Sequence, residues 1–167
     1  MFKIRQANLN DFKKIYTLYK KVATETTGLA RTSDEITEQY MHDVMKNARE
    51  SGIELVIDNP ASSNEILREI HCYKLGPKTF GHLLSELTIA VDPDHQGKGL
   101  GRMIFTYLLN IITNKRPDIL RVELISRETN LKALSFYKSL GFKREGKFEN
   151  RIRSDENGFE VDIPDLV

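Results

Sequence analysis

The chain has 167 residues, 40% apolar and 29% charged, with 25 Lys plus Arg against 24 Asp plus Glu for a formal net charge of +1. That length suits one domain with a sizeable core, so residues 1–167 are read as a single domain. The near-zero balance excludes a strong global field for nucleic acid or an anionic membrane. The leading Met1-Phe2-Lys3-Ile4-Arg5-Gln6 has no apolar run of signal-peptide length. The most apolar stretch, Leu83–Val91, is interrupted by Ser85, Glu86 and Thr88 and is far too short to span a bilayer. The expectation is a cytoplasmic protein with neither nucleic-acid nor membrane partners.

Phe2–Ala7 alternates and predicts a first strand. Asn8 or Asn10 can cap the helix that follows, where Phe12, Ile15, Tyr16, Leu18, Tyr19 and Val22 recur at helical spacing. Thr24–Arg31 is polar, contains Gly28 and reads as a loop. Thr32 and Glu35 form a capping-box pattern for a second helix carrying Ile36, Tyr40, Val44 and Ala48, ended by Ser51-Gly52. Ile53–Asp58, Glu65–Leu75 and Thr79–Val91 predict three strands of an antiparallel meander, joined by turns at Asn59–Asn64 and Gly76-Pro77-Lys78. Leu100 to Ile112 is a periodic third helix stopped by Pro117, and Ile119–Ser126 a short strand. Asn130–Leu140 is a shorter fourth helix closed by Gly141. Phe142–Ile152 and Phe159–Ile163 predict two last strands around a turn at Asp155-Glu156-Asn157-Gly158.

The order is β-α-α-β-β-β-α-β-α-β-β, without repeats or linkers. It fits an α+β domain with a central mixed, mostly antiparallel sheet flanked by helices on both faces. The single cysteine, Cys72, can form no internal disulfide, and its strand-like setting makes it a small buried hydrophobe. His42, His71, His82 and His95 show no ligand spacing, so no metal is expected.

The segment richest in chemistry is Gln96-Gly97-Lys98-Gly99-Leu100-Gly101, which follows a strand and opens a helix. The first amides of a helix lack intrahelical partners and the helix dipole places positive charge there, so a pyrophosphate fits. A phosphate-binding P-loop requires a glycine where Asp92 stands and Ser or Thr where Gly99 stands. The dinucleotide fingerprint G-x-G-x-x-G is not matched, because the spacing here is G-x-G-x-G with Arg102 following.

The loop does resemble the Q/R-x-x-G-x-G/A signature of the GNAT N-acetyltransferase superfamily. Leu87-Thr88-Ile89-Ala90-Val91-Asp92-Pro93 looks like that family's strand and V-x-P turn. A second family block follows in Asn130, Ala133, Phe136-Tyr137 and Leu140-Gly141-Phe142. The resemblance is strong from Glu86 to Phe142 and weak over the first 80 residues.

The resemblance implies a GNAT-like single domain that transfers an acetyl group from acetyl-CoA to a primary amine by direct attack in a ternary complex. The acceptor would be a small amine, an amino acid or a protein N-terminus, and the protein a monomer or homodimer. It implies cofactor contacts at Ile89, Ala90, Val91, Gln96, Gly97, Lys98, Gly99, Leu100, Gly101, Arg102, Asn130, Ala133, Phe136 and Tyr137. The amide near Ile89 would polarise the thioester carbonyl. Tyr137 takes the general-acid position, where a phenol suits a thiolate leaving group. Glu86 is the implied base acting through water, set against a paired strand glutamate. Asn130 caps the fourth helix, contacts the donor, or does both. Two other readings compete: a non-catalytic CoA-binding regulatory domain of the same fold, and a nucleotide-binding module using the same loop.

Overall fold

The computed structural model describes the backbone of residues 2–26, 28–154 and 158–166, and the side chains of 2–26, 28–149 and 151. Its elements run β1 (Ile4–Gln6), α1 (Phe12–Glu25), α2 (Glu38–Ser51), β2 (Ile53–Asn59), β3 (Ser62–Tyr73), β4 (Leu83–Val91) and α3 (Leu100–Lys115). They continue through β5 (Arg121–Arg127), α4 (Leu131–Ser139), β6 (Lys143–Arg144), β7 (Phe148–Ser154) and β8 (Gly158–Leu166). The sheet order is β1-β2-β3-β4-β5-β8-β6, with β7 also on β8. Only β4 and β5 pair in parallel; the other pairings are antiparallel.

Each sheet face buries its own core. Ile53, Leu55, Ile57, Ile70 and Cys72 meet Ile104, Phe105, Leu108 and Ile112 of α3. On the other face Val56, Ile66 and Ala90 meet Ile15, Leu18, Tyr19 and Val22 of α1 and Met41 and Val44 of α2. The heptad-like spacing of apolar residues in the helices and the two-residue alternation in the strands place these stripes. Both faces are thus covered by helices, as the sequence predicts.

Several boundaries differ from expectation. α2 is capped by Thr37, whose hydroxyl accepts from the amide of Tyr40. The Thr32–Glu35 pattern is a separate turn. Glu35 reaches back to the Thr32 amide at 2.9 Å, but the Thr32 hydroxyl donates to the Asp34 and Glu35 carboxylates. With that oxygen engaged, no amide of a following helical turn is capped, and Ile36 is buried before the helix begins. Lys78–Phe80 forms a single 3-10 turn, so the third meander strand begins at Leu83. The expected strand Phe142–Ile152 is split. β6 and β7 lie along the same edge of β8, one near its end and one near its start, interrupted around Gly146. The turn expected at Asp155–Gly158 lies mostly outside the described residues.

Gly52 closes α2 for a steric reason. A Cβ there would stand 1.9 Å from the carbonyl oxygen of Cys72, so only glycine lets the helix end against β3. Burial pushes the Cys72 thiol up to about 12, which keeps it inert, as its strand setting suggests. No helix among the described residues is long and apolar enough to cross a membrane.

Candidate active site

The site begins where the sheet comes apart. β4 and β5 pair only through Leu83–Arg121 and Leu84–Val122 and then diverge. At the point of divergence β4 carries a bulge. The register between β3 and β4 shifts between His71 and Tyr73, and Glu86 adopts φ 50. A non-glycine residue in this region carries strain of order 1 kcal/mol, sustained by the surrounding sheet. The bulge turns the exposed Glu86 side chain out of the sheet and opens a V between the two parallel strands.

Three cavities lie in series along this V. The first, about 670 Å³, is lined by the glycine loop, by Ile89 and Val91 of β4, and by Asn130, Ala133, Phe136 and Tyr137. The second, about 360 Å³, occupies the split itself and shares Asn130 and Tyr137 with the first. The third, about 330 Å³, opens toward α1 and α2 and shares Glu86 and Thr88 with the second. Tyr137 therefore stands at one junction and Glu86 at the other.

The first cavity is cationic. Gly97 and Gly99 have φ 78 and 72, and an added Cβ at either would meet nothing within 4 Å, so the left-handed backbone is what demands glycine. Gly99 is the N-cap of α3 and supplies no side-chain cap, leaving the first-turn amides available to a ligand. Arg68, Arg102, Arg127 and Lys132 line the same cavity, and among the described residues no carboxylate does.

The rear of the loop is fastened from both sides. Lys21 of α1 binds Asp92 at 3.0 Å and Asp94 at 2.6 Å. Arg68 of β3, 2% exposed, donates to the carbonyl of His95 at 2.6 Å. Its Nε has no partner, and burial lowers its pKa against the opposing pull of Asp92. The front of the loop, Gln96–Gly99, is exposed. The loop is thus held at its base and presents its amides at its tip.

Most residues expected at the donor site line this cavity, with three exceptions. Leu100 is 4% exposed and packs into the α3 core, and Ala90 is buried in the α1–α2 core. Lys98 points to solvent outside the lining. Arg102 donates to Ser139 and lies over the Phe136 ring, tying α3 to α4. Asn130 accepts from the Ala133 amide at 3.1 Å, so it does cap α4 while lining the cleft. Tyr137 is half-buried in an aromatic cluster with Phe105, Phe136 and Phe142. Glu86 has no ion pair among the described residues, against the alternative of a paired strand glutamate. Sequence reasoning missed Arg68, Arg127, Thr129 and Lys132 as cleft residues. Arg127 and Lys132 flank the Asn130 block, a basic clustering that was readable; Arg68 carries no local signal.

The third cavity has a different character. Tyr19, Tyr40 and Tyr73 line it with Arg31, Glu35 and Glu86. Burial raises the pKa of all three phenols, so they stay neutral donors. Arg31 stacks on the Tyr40 ring with its guanidinium 4.2 Å from the centroid. No group of three or more metal-ligating side chains occurs among the described residues.

A split parallel strand pair, with an open glycine loop and helix N-terminus on one side and a polar pocket on the other, defines the class of fold. A family model described as the Acetyltransferase (GNAT) domain matches residues 55–144, and the chain belongs to that family. It is 33% identical over 103 residues to the N-alpha-acetyltransferase RimI of Mycobacterium tuberculosis, covering 52% of this chain and 62% of the relative. The chain spans between 35% and 62% of the length of the curated relatives it matches. A GNAT-family acetyltransferase structure from Streptococcus pneumoniae superposes with a TM-score of 0.87 at 19% identity, covering 100% of this chain and 99% of that one. The structure of yncA from Salmonella typhimurium with its cofactor acetyl-CoA gives 0.81 at 16% identity, covering 99% and 92%. At those identities the two structures share the fold.

Proposed function

We propose that the protein is an acetyl-CoA-dependent N-acetyltransferase that acylates a primary amine by direct attack in a ternary complex. The observation that carries this reading is the series of three cavities, with a phenol at the first junction and a carboxylate at the second. The donor's phosphates suit the glycine-loop amides and the four cations of the first cavity. Its pantetheine arm lies along β4, where the split leaves strand edge unpaired beyond Leu84. That path brings the thioester to the second cavity, beside Tyr137. Tyr137 protonates the departing thiolate. Glu86 faces the acceptor side and draws a cationic amine toward the split. Bound acetyl-CoA in the related yncA structure supports the donor. The N-alpha-acetyltransferase RimI relative favours an α-amine of a polypeptide as acceptor. The test is incubation with acetyl-CoA and a panel of small amines, amino acids and peptides, monitoring free thiol. Acceptor-dependent release is expected; release no faster than hydrolysis across the panel would overturn the reading.

A further inference from the structure

One buried group of titratable side chains plays no part in that scheme. Glu69 of β3 is 0% exposed in the sheet face beneath α1. The Tyr19 hydroxyl donates to its Oε2 at 2.6 Å, and Nδ1 of His71 stands 3.0 Å from its Oε1. Glu54 of β2 is buried close to it, and burial first, then the Glu69 charge, pushes Glu54 up to about 9. Glu54 is therefore protonated near neutral pH. With Tyr19 donating to it, Glu69 is the acceptor of the cluster. The His71 contact is then an Nδ1–H donation, which leaves Nε2 with a bare lone pair. His71 lines the third cavity, beside Thr88, its partner in the β3–β4 register.

We propose that His71, oriented by Glu69, takes the proton from the acceptor amine. This rests on the N-acetyltransferase reading. The acceptor loses its ammonium proton to solvent as it enters, and the neutral amine nitrogen attacks the acetyl carbonyl carbon; the N–C bond forms and the C–S bond breaks. The amine proton passes to His71 Nε2, and the thiolate receives the Tyr137 proton. Exchange with solvent returns one proton from His71 and one to Tyr137, so the protein ends as it began. Imidazole is the side chain whose ordinary titration lies nearest neutral pH, which suits this transfer. A carboxylate behind the ring fixes its tautomer and stabilises the imidazolium, as in other carboxylate–histidine pairs. Tyr19, Glu69 and Glu54 are positioning residues. Tyr40, Tyr73, Arg31, Glu35 and Glu86 are the other titratable groups of this cavity, from α2, β3, the connector before α2, and β4.

The experiment is the pH profile of kcat/KM for wild type, His71→Gln and Glu86→Gln, with CoA affinity measured by calorimetry. His71→Gln is expected to keep CoA affinity within about twofold, lower kcat/KM by about 10²-fold and abolish the acid limb. Glu86→Gln is expected to keep the limb and raise KM for cationic amines. An intact limb in His71→Gln, or its loss in Glu86→Gln alone, overturns the proposal. Nitrogen NMR of the wild-type imidazoles, assigned with His42, His82 and His95 variants, gives a readout independent of refolding. A protonated Nδ1 and bare Nε2 on His71 are expected, and the reverse tautomer overturns the proposal. Absence of all acyl transfer would instead count against the enzyme reading, while the tautomer stays measurable.

Discussion

In the proposed reaction the two ends of the split sheet recognise their ligands by opposite means. On the donor side the contacts are backbone amides on an exposed glycine loop, backed by four cations and, among the described residues, no carboxylate. On the acceptor side they are side chains: three phenols, an arginine, two glutamates and a histidine with a buried carboxylate behind it. A pyrophosphate is the same in every donor molecule, so a short local motif suffices to hold it. An amine must be selected and deprotonated, which needs groups gathered from distant parts of the chain. The difference teaches that lesions on one side should show in CoA affinity, and on the other in proton transfer and pH dependence.

The sharpest break should come at the junction. Tyr137→Phe is expected to lower kcat by about 10²-fold or more while CoA affinity stays within about twofold, read by thiol release and calorimetry. Equal loss of both would make Tyr137 a packing residue of its aromatic cluster.

On the donor side, Gly99→Val forces a β-branched residue into φ 72. Left-handed backbone costs such a residue about 1–2 kcal/mol, so CoA affinity should fall about tenfold. KM for the amine at saturating donor should not move.

On the acceptor side, Glu54 has a folded pKa of about 9, above its unfolded value. The fold therefore takes up a proton, and the stability this provides is greatest below the unfolded carboxylate pKa. It declines as pH rises and is gone above about 9. Glu54→Gln cannot ionise. Its melting temperature should change less than that of wild type between pH 6 and 9, by the equivalent of about 1 kcal/mol or more. Parallel melting curves would show that Glu54 is ionised in the fold.

The smallest effect is expected at Arg68, which fastens the loop from below with one hydrogen bond and an unsatisfied Nε. Arg68→Met removes a buried charge, so stability should hold or rise, while a looser loop base weakens CoA binding a few-fold. A variant that loses stability instead would show the arginine to be compensated by groups other than His95.

Much of this architecture is legible along the chain. Periodicity places all four helices, and the meander is readable because its strands are consecutive and separated by turn residues. Errors fall where one local signal competes with another. Thr32 and Glu35 look like a helix start, but the threonine hydroxyl prefers nearby carboxylates, and Thr37 caps instead. The strand expected at Phe142–Ile152 divides because β8 is long enough to pair with two short segments on one edge. Leu100 and Ala90 belong to the motif segments yet turn into the core, since a motif fixes spacing while packing fixes which side chains face inward.

By itself the sequence determined the glycine loop proposed to hold the donor. Its glycines, its helix N-terminus and the Asn130–Phe142 block are contiguous, and their chemistry is local backbone geometry. Only the tertiary structure decided the acceptor side. It brought Tyr19, Glu54, Glu69 and His71 together across a helix and two strands, and the bulge at Glu86 opened the space they face. Those residues carry no spacing signal, because a buried polar cluster is assembled by sheet register and helix docking rather than by neighbours in the chain.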